Sequence, residues 1–288
     1  MNPLALHAMV FLRGGGPAAW ERVVSATATA GFDLLEVPLR DPSAVDAPGL
    51  RTLLDDAGLG AVGLLAMPFD ADVSSPDEAV AARGARLLDD ALAVATSLGS
   101  PYLGGVLYGA AGRHDGPATT DDRRRSVAAL RRLAGRAAAA DVTIGLEVVN
   151  RYESNLINTA SQALDLIDEI GADNVGVHLD TFHMNIEEAD VAAAIRACGD
   201  RLVYVHASES NRGHLGRGSV DFDAVFGTLA DVGYGGPVGF ESFTAAAAPD
   251  ALRRSMALWR DVWSDPDDLA AHARAFISGA IERATARG

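Results

Sequence analysis

The sequence predicts a (β/α)8 TIM barrel with additional C-terminal helices, built as a single domain over residues 1–288. Three observations predict it. Short apolar runs alternate with helical patterns eight times, at a spacing of about 30 residues, as parallel strands joined by crossover helices require. Four consecutive strands finish on a residue able to bind a metal: Glu147 after TIGL, Asp180 after VGVHL, His206 after LVYV and Glu241 after PVGF. A closed barrel brings the ends of such strands around one axis. The structural alternative is an open doubly wound sheet, but the first strand is not followed by the GxGxxG turn used by dinucleotide-binding sheets of that kind.

Taken in order, residues 4–11 (LALHAMVF) read as the first strand, bounded by a glycine turn at 14–16. Residues 18–30 place Trp20, Val23, Val24 and Ala28 on one side, as an amphipathic helix does. Strand two is DLLEVPL at 33–39, followed by a helix over 47–57 that ends at Gly58 or Gly60. Strand three is AVGLLAM at 61–67. Ser75, Pro76 and Glu78 combine an N-cap, a first-turn proline and a glutamate three residues on, a capping box that opens a helix to Leu98. Strand four is PYLGGVLY, and a glycine-rich connection at 109–120 leads to an arginine-rich helix at 121–140. Strand five begins at Thr143, and Thr159 with Gln162 makes a second capping box for a helix that stops at Gly171. Strand six, a helix at 188–199, strand seven, a helix at 221–232 and strand eight follow. Helices at 249–263 and 266–286 close the chain.

Composition removes several kinds of chemistry. The one cysteine, Cys198, rules out internal disulfides and two-cysteine racemisation. The chain has no lysine, so neither a Schiff base with a sugar carbonyl nor covalent pyridoxal phosphate has an amine to use. A net charge of −15 disfavours nucleic acid and anionic membranes. No apolar run approaches the ~20 residues of a membrane helix. The N-terminus carries no basic signal-peptide region, which makes the cytoplasm the expected location.

Three carboxylates and an imidazole form an oxygen-rich donor set, suited to Mn²⁺, Mg²⁺ or Co²⁺ rather than to a structural zinc. Such a cation, with coordination positions open, polarises a carbonyl and stabilises an enediolate. Glu147 and Glu241, on strands five and eight, reach a substrate from opposite sides. One can remove a proton α to the carbonyl while the other returns it on the opposite face, which is what epimerisation needs. Each strand-end carboxylate taken alone is more often a solvated or loop-capping residue; the case rests on four at corresponding positions. His178, two residues before Asp180 on the same face, reads as packing or support for the ligands. His183 reads as a substrate contact in the loop after Asp180, and His7 as a pocket or core histidine. Arg212 and Arg217 lie where barrels often bind phosphate, although Arg212 equally suits orienting a hydroxyl or carbonyl. The run DDRRRSVAALRRLAGR reads as a solvated helix face.

These residues also carry a resemblance. LEVVNRYESNLINTA, VHLDTFHMNIEE, HASESNRG with GRGSVDFDAVF, and GFESF resemble the ketose 3-epimerases, the D-tagatose 3-epimerase and D-allulose (D-psicose) 3-epimerase family of the xylose-isomerase-like TIM barrels. GFDLLEVPL, DVSSPDEAV and WRDVWSD extend the likeness over nearly the whole chain. The resemblance implies one divalent metal per subunit (Mn²⁺, Co²⁺ or Mg²⁺) on Glu147, Asp180, His206 and Glu241. It implies Glu147 and Glu241 as an acid/base pair working through a cis-enediolate at C2–C3. It implies Glu153, His183 and Arg212 on the O1–O2–O3 end of the sugar. For the far end the candidates are Phe11, Ala66, Met67 and Tyr108; Phe11 stands where relatives often have tryptophan. The implied reaction interconverts D-fructose and D-allulose, with D-tagatose and D-sorbose as further substrates, in a homodimer or homotetramer.

Rival readings are a hydroxypyruvate, inosose or ketose-phosphate isomerase of the same barrel class, an apurinic endonuclease and a non-catalytic sugar-binding barrel. An anionic substrate wants a firmer anion clamp, and an endonuclease wants more histidines and a basic groove. Binding alone does not need two opposed glutamates.

Overall fold

The computed structural model describes residues 2–14 and 16–286. Eight parallel strands close on themselves in sequence order: β1 (Leu4–His7), β2 (Leu34–Pro38), β3 (Gly60–Ala66), β4 (Tyr102–Val106), β5 (Thr143–Glu147), β6 (Val175–Asp180), β7 (Leu202–Ala207) and β8 (Val238–Phe240), with β8 pairing back to β1. Around them run α1 (Pro17–Thr29), α2 (Ala47–Ala57), α3 (Glu78–Ser97), α4 (Thr120–Ala138), α5 (Ala160–Ile170), α6 (Thr181–Glu187), α7 (Val191–Cys198), α8 (Phe222–Asp231), α9 (Asp250–Ser255) and α10 (Pro266–Thr285). The closed barrel is the one expected from the alternation, and helices follow it at the C-terminal end. Among the described residues no helix is long and apolar enough to cross a membrane.

Both faces of each strand are buried, because one meets the helices and the other the barrel axis. On β1, Leu4 and Leu6 join the large core under the helices, whereas Ala5 joins a small inner group with Val62, Leu64, Tyr102 and Tyr204. The Tyr102 and Tyr204 rings stack at 4.7 Å. Room for Tyr102 comes from its neighbours: a Cβ at Gly104 or Gly145 would overlap its hydroxyl and ring. Above this layer the inward residues turn polar, with His178 edge-on to both Tyr204 and His206.

Several boundaries differ from expectation, each for a local reason. β1 stops at His7, whose ring accepts a hydrogen bond from the Met9 N–H and starts a 3₁₀ turn over Ala8–Val10, so Phe11 lies beyond the strand. α3 starts at Glu78, capped by Asp77 on the N–H groups of Ala79 and Val80, while Ser75 accepts only from Asp77 N–H. The expected box around Ser75 is therefore replaced by a plain aspartate cap two residues later. The Thr159–Gln162 box is present as expected, and Thr119 with Asp122 makes another.

The expected helix at 188–199 is α7, and a short helix that was not expected, α6, precedes it. Asp180 accepts from Phe182 N–H and starts α6 at once, Glu188 is extended, and Asp190 caps α7. His183 thus sits on a helix rather than in a loop. The expected helix at 249–263 shrinks to α9. Asp261 accepts from the Ala246 N–H and the Thr244 hydroxyl, and Thr244 accepts from Val262 N–H, bonds that compete with a helical ladder.

Candidate active site

Parallel pairing puts all eight strand C-termini at one mouth, and register decides which residues become neighbours there. Asp180 pairs with His206, Glu147 pairs with His178, and His206 pairs with Gly239 of β8, two residues before Glu241. Glu147, Asp180, His206 and Glu241 each offer one donor atom, and those four atoms lie within 4.8 Å of one another. His206 Nδ1 is 3.4 Å from Glu147 Oε1 and 3.7 Å from Asp180 Oδ2, buried and with no hydrogen-bond partner. Its Nε2 is 3.1 Å from Glu36 Oε1, an oxygen that also accepts from the Tyr204 hydroxyl at 2.7 Å. A partnerless buried nitrogen among carboxylate oxygens fits a divalent cation with a preference for oxygen and imidazole.

Charge in this pocket is unevenly held. Burial works to lower the His206 pKa, but Glu36, Glu241 and Glu147 outweigh it and hold the imidazole well above the usual histidine range. A cation therefore enters in exchange for a proton. Burial pushes Glu241 up to about 8, with Glu147 and Asp180 adding to the rise and Arg212 and His206 opposing it. Glu147 is also penalised by burial, yet His178 and His206 hold it below the ordinary carboxylate range. Asp180 is lowered likewise, burial being outweighed by Arg212 and His183. In the metal-free pocket the two glutamates are thus set apart, Glu147 held as the anion and Glu241 disfavoured as one by its burial.

Around the cluster stand the groups expected to hold a sugar. Arg212 Nη1 is 2.8 Å from Asp180 Oδ2, Glu241 Oε2 and Ser208 Oγ, and its guanidinium carbon lies 4.1 Å over the Phe182 ring. Arg212 itself takes a left-handed φ of 58°, and Ser242 donates to its carbonyl. His183 Nδ1 accepts from the Asn150 N–H at 3.1 Å and from the Asn150 side-chain amide at 2.8 Å, which puts the ring proton on Nε2. Nε2 lies 3.3 Å from Arg212 Nη2, so two N–H donors converge there. Glu153, half-buried, accepts from Asn150 at 3.1 Å and lies on the same loop. His7 Nε2 is 3.9 Å from Glu241 Oε1, and burial lowers its pKa to about 4, leaving it neutral.

The far-end candidates separate. Ala66 is exposed at the tip of β3 and Phe11 is half-buried. Met67 and Tyr108 have no exposed surface, and the Tyr108 hydroxyl donates to the Glu147 carbonyl at 2.8 Å. Zero exposure does not remove those two from the site, since Asp180 and His206 of the cluster are equally buried. Of the residues not singled out from sequence, Glu36 and Asn150 matter most. Glu36 carried a signal, a charge at inward parity in an otherwise apolar strand. A cavity of about 590 Å³ lies at the opposite end of the barrel, by Asn2, Tyr234, Ile281 and Thr285, far from this chemistry.

Comparison with known proteins gives the family of the chain. The family model described as "Xylose isomerase-like TIM barrel" matches residues 24–262. The chain is 45% identical over 284 residues to an L-ribulose 3-epimerase of Mesorhizobium japonicum, covering 99% of this chain and 96% of that one. It is 45% identical over 254 residues to a ketose 3-epimerase of Arthrobacter globiformis, covering 88% of each. The crystal structure of a Methylomonas D-allulose 3-epimerase in complex with D-allulose superposes with a TM-score of 0.95 at 42% identity, covering 97% of both chains. The chain belongs to the xylose isomerase-like TIM barrels and, within them, to the ketose 3-epimerases, an isomerase family.

Proposed function

We propose that this protein is a metal-dependent ketose 3-epimerase that interconverts D-fructose and D-allulose, with D-tagatose and D-sorbose as further substrates. The observation that carries the reading is the convergence of Glu147, Asp180, His206 and Glu241 within 4.8 Å at the mouth, with the two glutamates on β5 and just after β8. Those four residues would hold one divalent cation (Mn²⁺, Co²⁺ or Mg²⁺), which supplies Lewis-acid polarisation of the C2 carbonyl and of the adjacent hydroxyl.

The chain's own residues do the rest. One glutamate takes the proton from C3, leaving a cis-enediolate at C2–C3, and the other delivers a proton to the opposite face of C3. In the reverse direction the roles exchange. Glu147 on β5 and Glu241 just after β8 can each take or give the C3 proton. Arg212 and His183 aim N–H donors at sugar oxygens, and Glu153 accepts from a hydroxyl at the O1–O3 end. Phe11, Ala66, Met67 and Tyr108 shape the C4–C6 end, with His7 bordering Glu241. We assign the protein to the cytoplasm, as a homodimer or homotetramer.

The test is incubation of metal-stripped protein with D-fructose in D₂O, with and without Mn²⁺. The expected product is D-allulose, formed only with metal and carrying deuterium at C3. An aldose carrying deuterium at C2 would instead make the protein an isomerase of the same barrel class. The similarity to an L-ribulose 3-epimerase favours L-ribulose as the second substrate to assay.

A further inference from the structure

Beneath the four converging residues lies a carboxylate that the proposed reaction leaves without a task. Glu36 sits in the middle of β2, fully buried, and β2 is separated from β7 by β1 and β8. Its Oε1 nevertheless reaches His206 Nε2 at 3.1 Å and takes the Tyr204 hydroxyl at 2.7 Å. The path crosses β8 at Gly239, where a Cβ would overlap Glu36 Oε1 and stand 2.8 Å from His206 Cδ2. A side chain at Gly239 and the Glu36–His206 bond exclude each other.

A bland account makes this a buried ion pair that holds the barrel together. Buried pairs contribute little to stability once desolvation is counted, and a better-packed apolar pair often does as well. Glu36 is moreover poorly satisfied for that purpose, since its second oxygen is buried without a partner. What the arrangement does achieve is directional. Binding Nε2–H fixes both the plane of the ring and the nitrogen that keeps its lone pair, and that nitrogen, Nδ1, faces Glu147 and Asp180.

We propose that Glu36 is a positioning residue that acts through His206, orienting its Nδ1 lone pair toward the divalent cation and making it a stronger donor. The inference rests on the metal reading of the site. Carboxylates that orient metal-bound histidines typically set affinity rather than fold.

The experiment is calorimetric titration of Mn²⁺ into metal-stripped wild-type protein, Glu36→Gln and Gly239→Ala, with thermal melting of each metal-free form. The amide of Glu36→Gln keeps the shape and loses the charge, and Mn²⁺ affinity is expected to fall about 10- to 100-fold. Gly239→Ala crowds both Glu36 Oε1 and His206 Cδ2, so a weaker Mn²⁺ affinity there supports the proposal only alongside Glu36→Gln, whereas an unchanged affinity overturns it even if Glu36→Gln misfolds. A purely structural Glu36 would lower the metal-free melting temperature and leave Mn²⁺ affinity within about threefold of wild type, and that result overturns the proposal. Wild-type protein that binds none of Mn²⁺, Co²⁺ and Mg²⁺ would instead overturn the metal reading and, with it, this role.

Discussion

The Arg212 guanidinium lies 2.8 Å from the Glu241 carboxylate, and the same nitrogen is 2.8 Å from Asp180. One buried cation thus compensates two of the three clustered carboxylates. Arg212→Ala removes the cation closest to both, and breaking a buried pair in this way typically costs about 3–5 kcal/mol. Urea unfolding should show a loss of that order in metal-free protein and a smaller loss with Mn²⁺ bound. In steady-state kinetics the same variant is expected to raise KM for D-fructose at least about tenfold, with a smaller change in kcat.

Glu147→Gln and Glu241→Gln each remove one partner of the proposed proton exchange and one cation-binding oxygen. Each is expected to lower kcat by more than about 1,000-fold, measured as D-allulose formed from D-fructose. Near-full activity in Glu241→Gln would end the two-base scheme.

Removing the cation should cost both turnover and stability. With chelator, D-allulose formation is expected to stop and to return on adding Mn²⁺. A cation present at 100 times its Kd adds about 2.7 kcal/mol to the folded state. Differential scanning calorimetry at increasing Mn²⁺ should therefore show a melting temperature that climbs with concentration, and one independent of Mn²⁺ would contradict a bound cation.

His7 and His178 give the metal-free protein an acid-sensitive slope. Burial lowers each to about 4 from an ordinary value of 6.5, so between those limits the unfolded chain binds more protons than the folded one. Their contribution is present above 6.5 and is lost as the pH falls toward 4. Replacing His178 by Phe removes its share. Between about pH 7.5 and about pH 5, urea unfolding should show wild type losing about 2 kcal/mol more than His178→Phe. Equal losses would mean that His178 takes up its proton over the same pH range in the folded and unfolded states.

How far the sequence could be read depended on whether a contact followed from chain direction. Parallel strands share one C-terminal end, so Glu147, Asp180, His206 and Glu241 could be gathered from their positions alone. The Thr159 cap was readable because its partners are three residues away. Glu36 was not gathered, because its partners Tyr204 and His206 lie 168 and 170 residues along the chain and on a strand that is not its neighbour. Nor could strand-end position separate Ala66, which is exposed, from Met67, which is sealed in; the depth of a turn is set by what packs beneath it. The end of α9 was missed because Asp261 closes a loop onto Thr244 and Ala246, contacts that helical periodicity does not register.

The fit of Tyr102 against Gly104 and Gly145 restricts the order in which this barrel can change. An alanine arriving first at Gly145 meets a rigid ring that has Tyr204 stacked on it, so the ring has nowhere to swing. Shrinking Tyr102 first opens a void that a later side chain at Gly104 or Gly145 can fill. The three positions form one epistatic unit spread over two adjacent strands, and a lineage can cross it in one direction more easily than in the other.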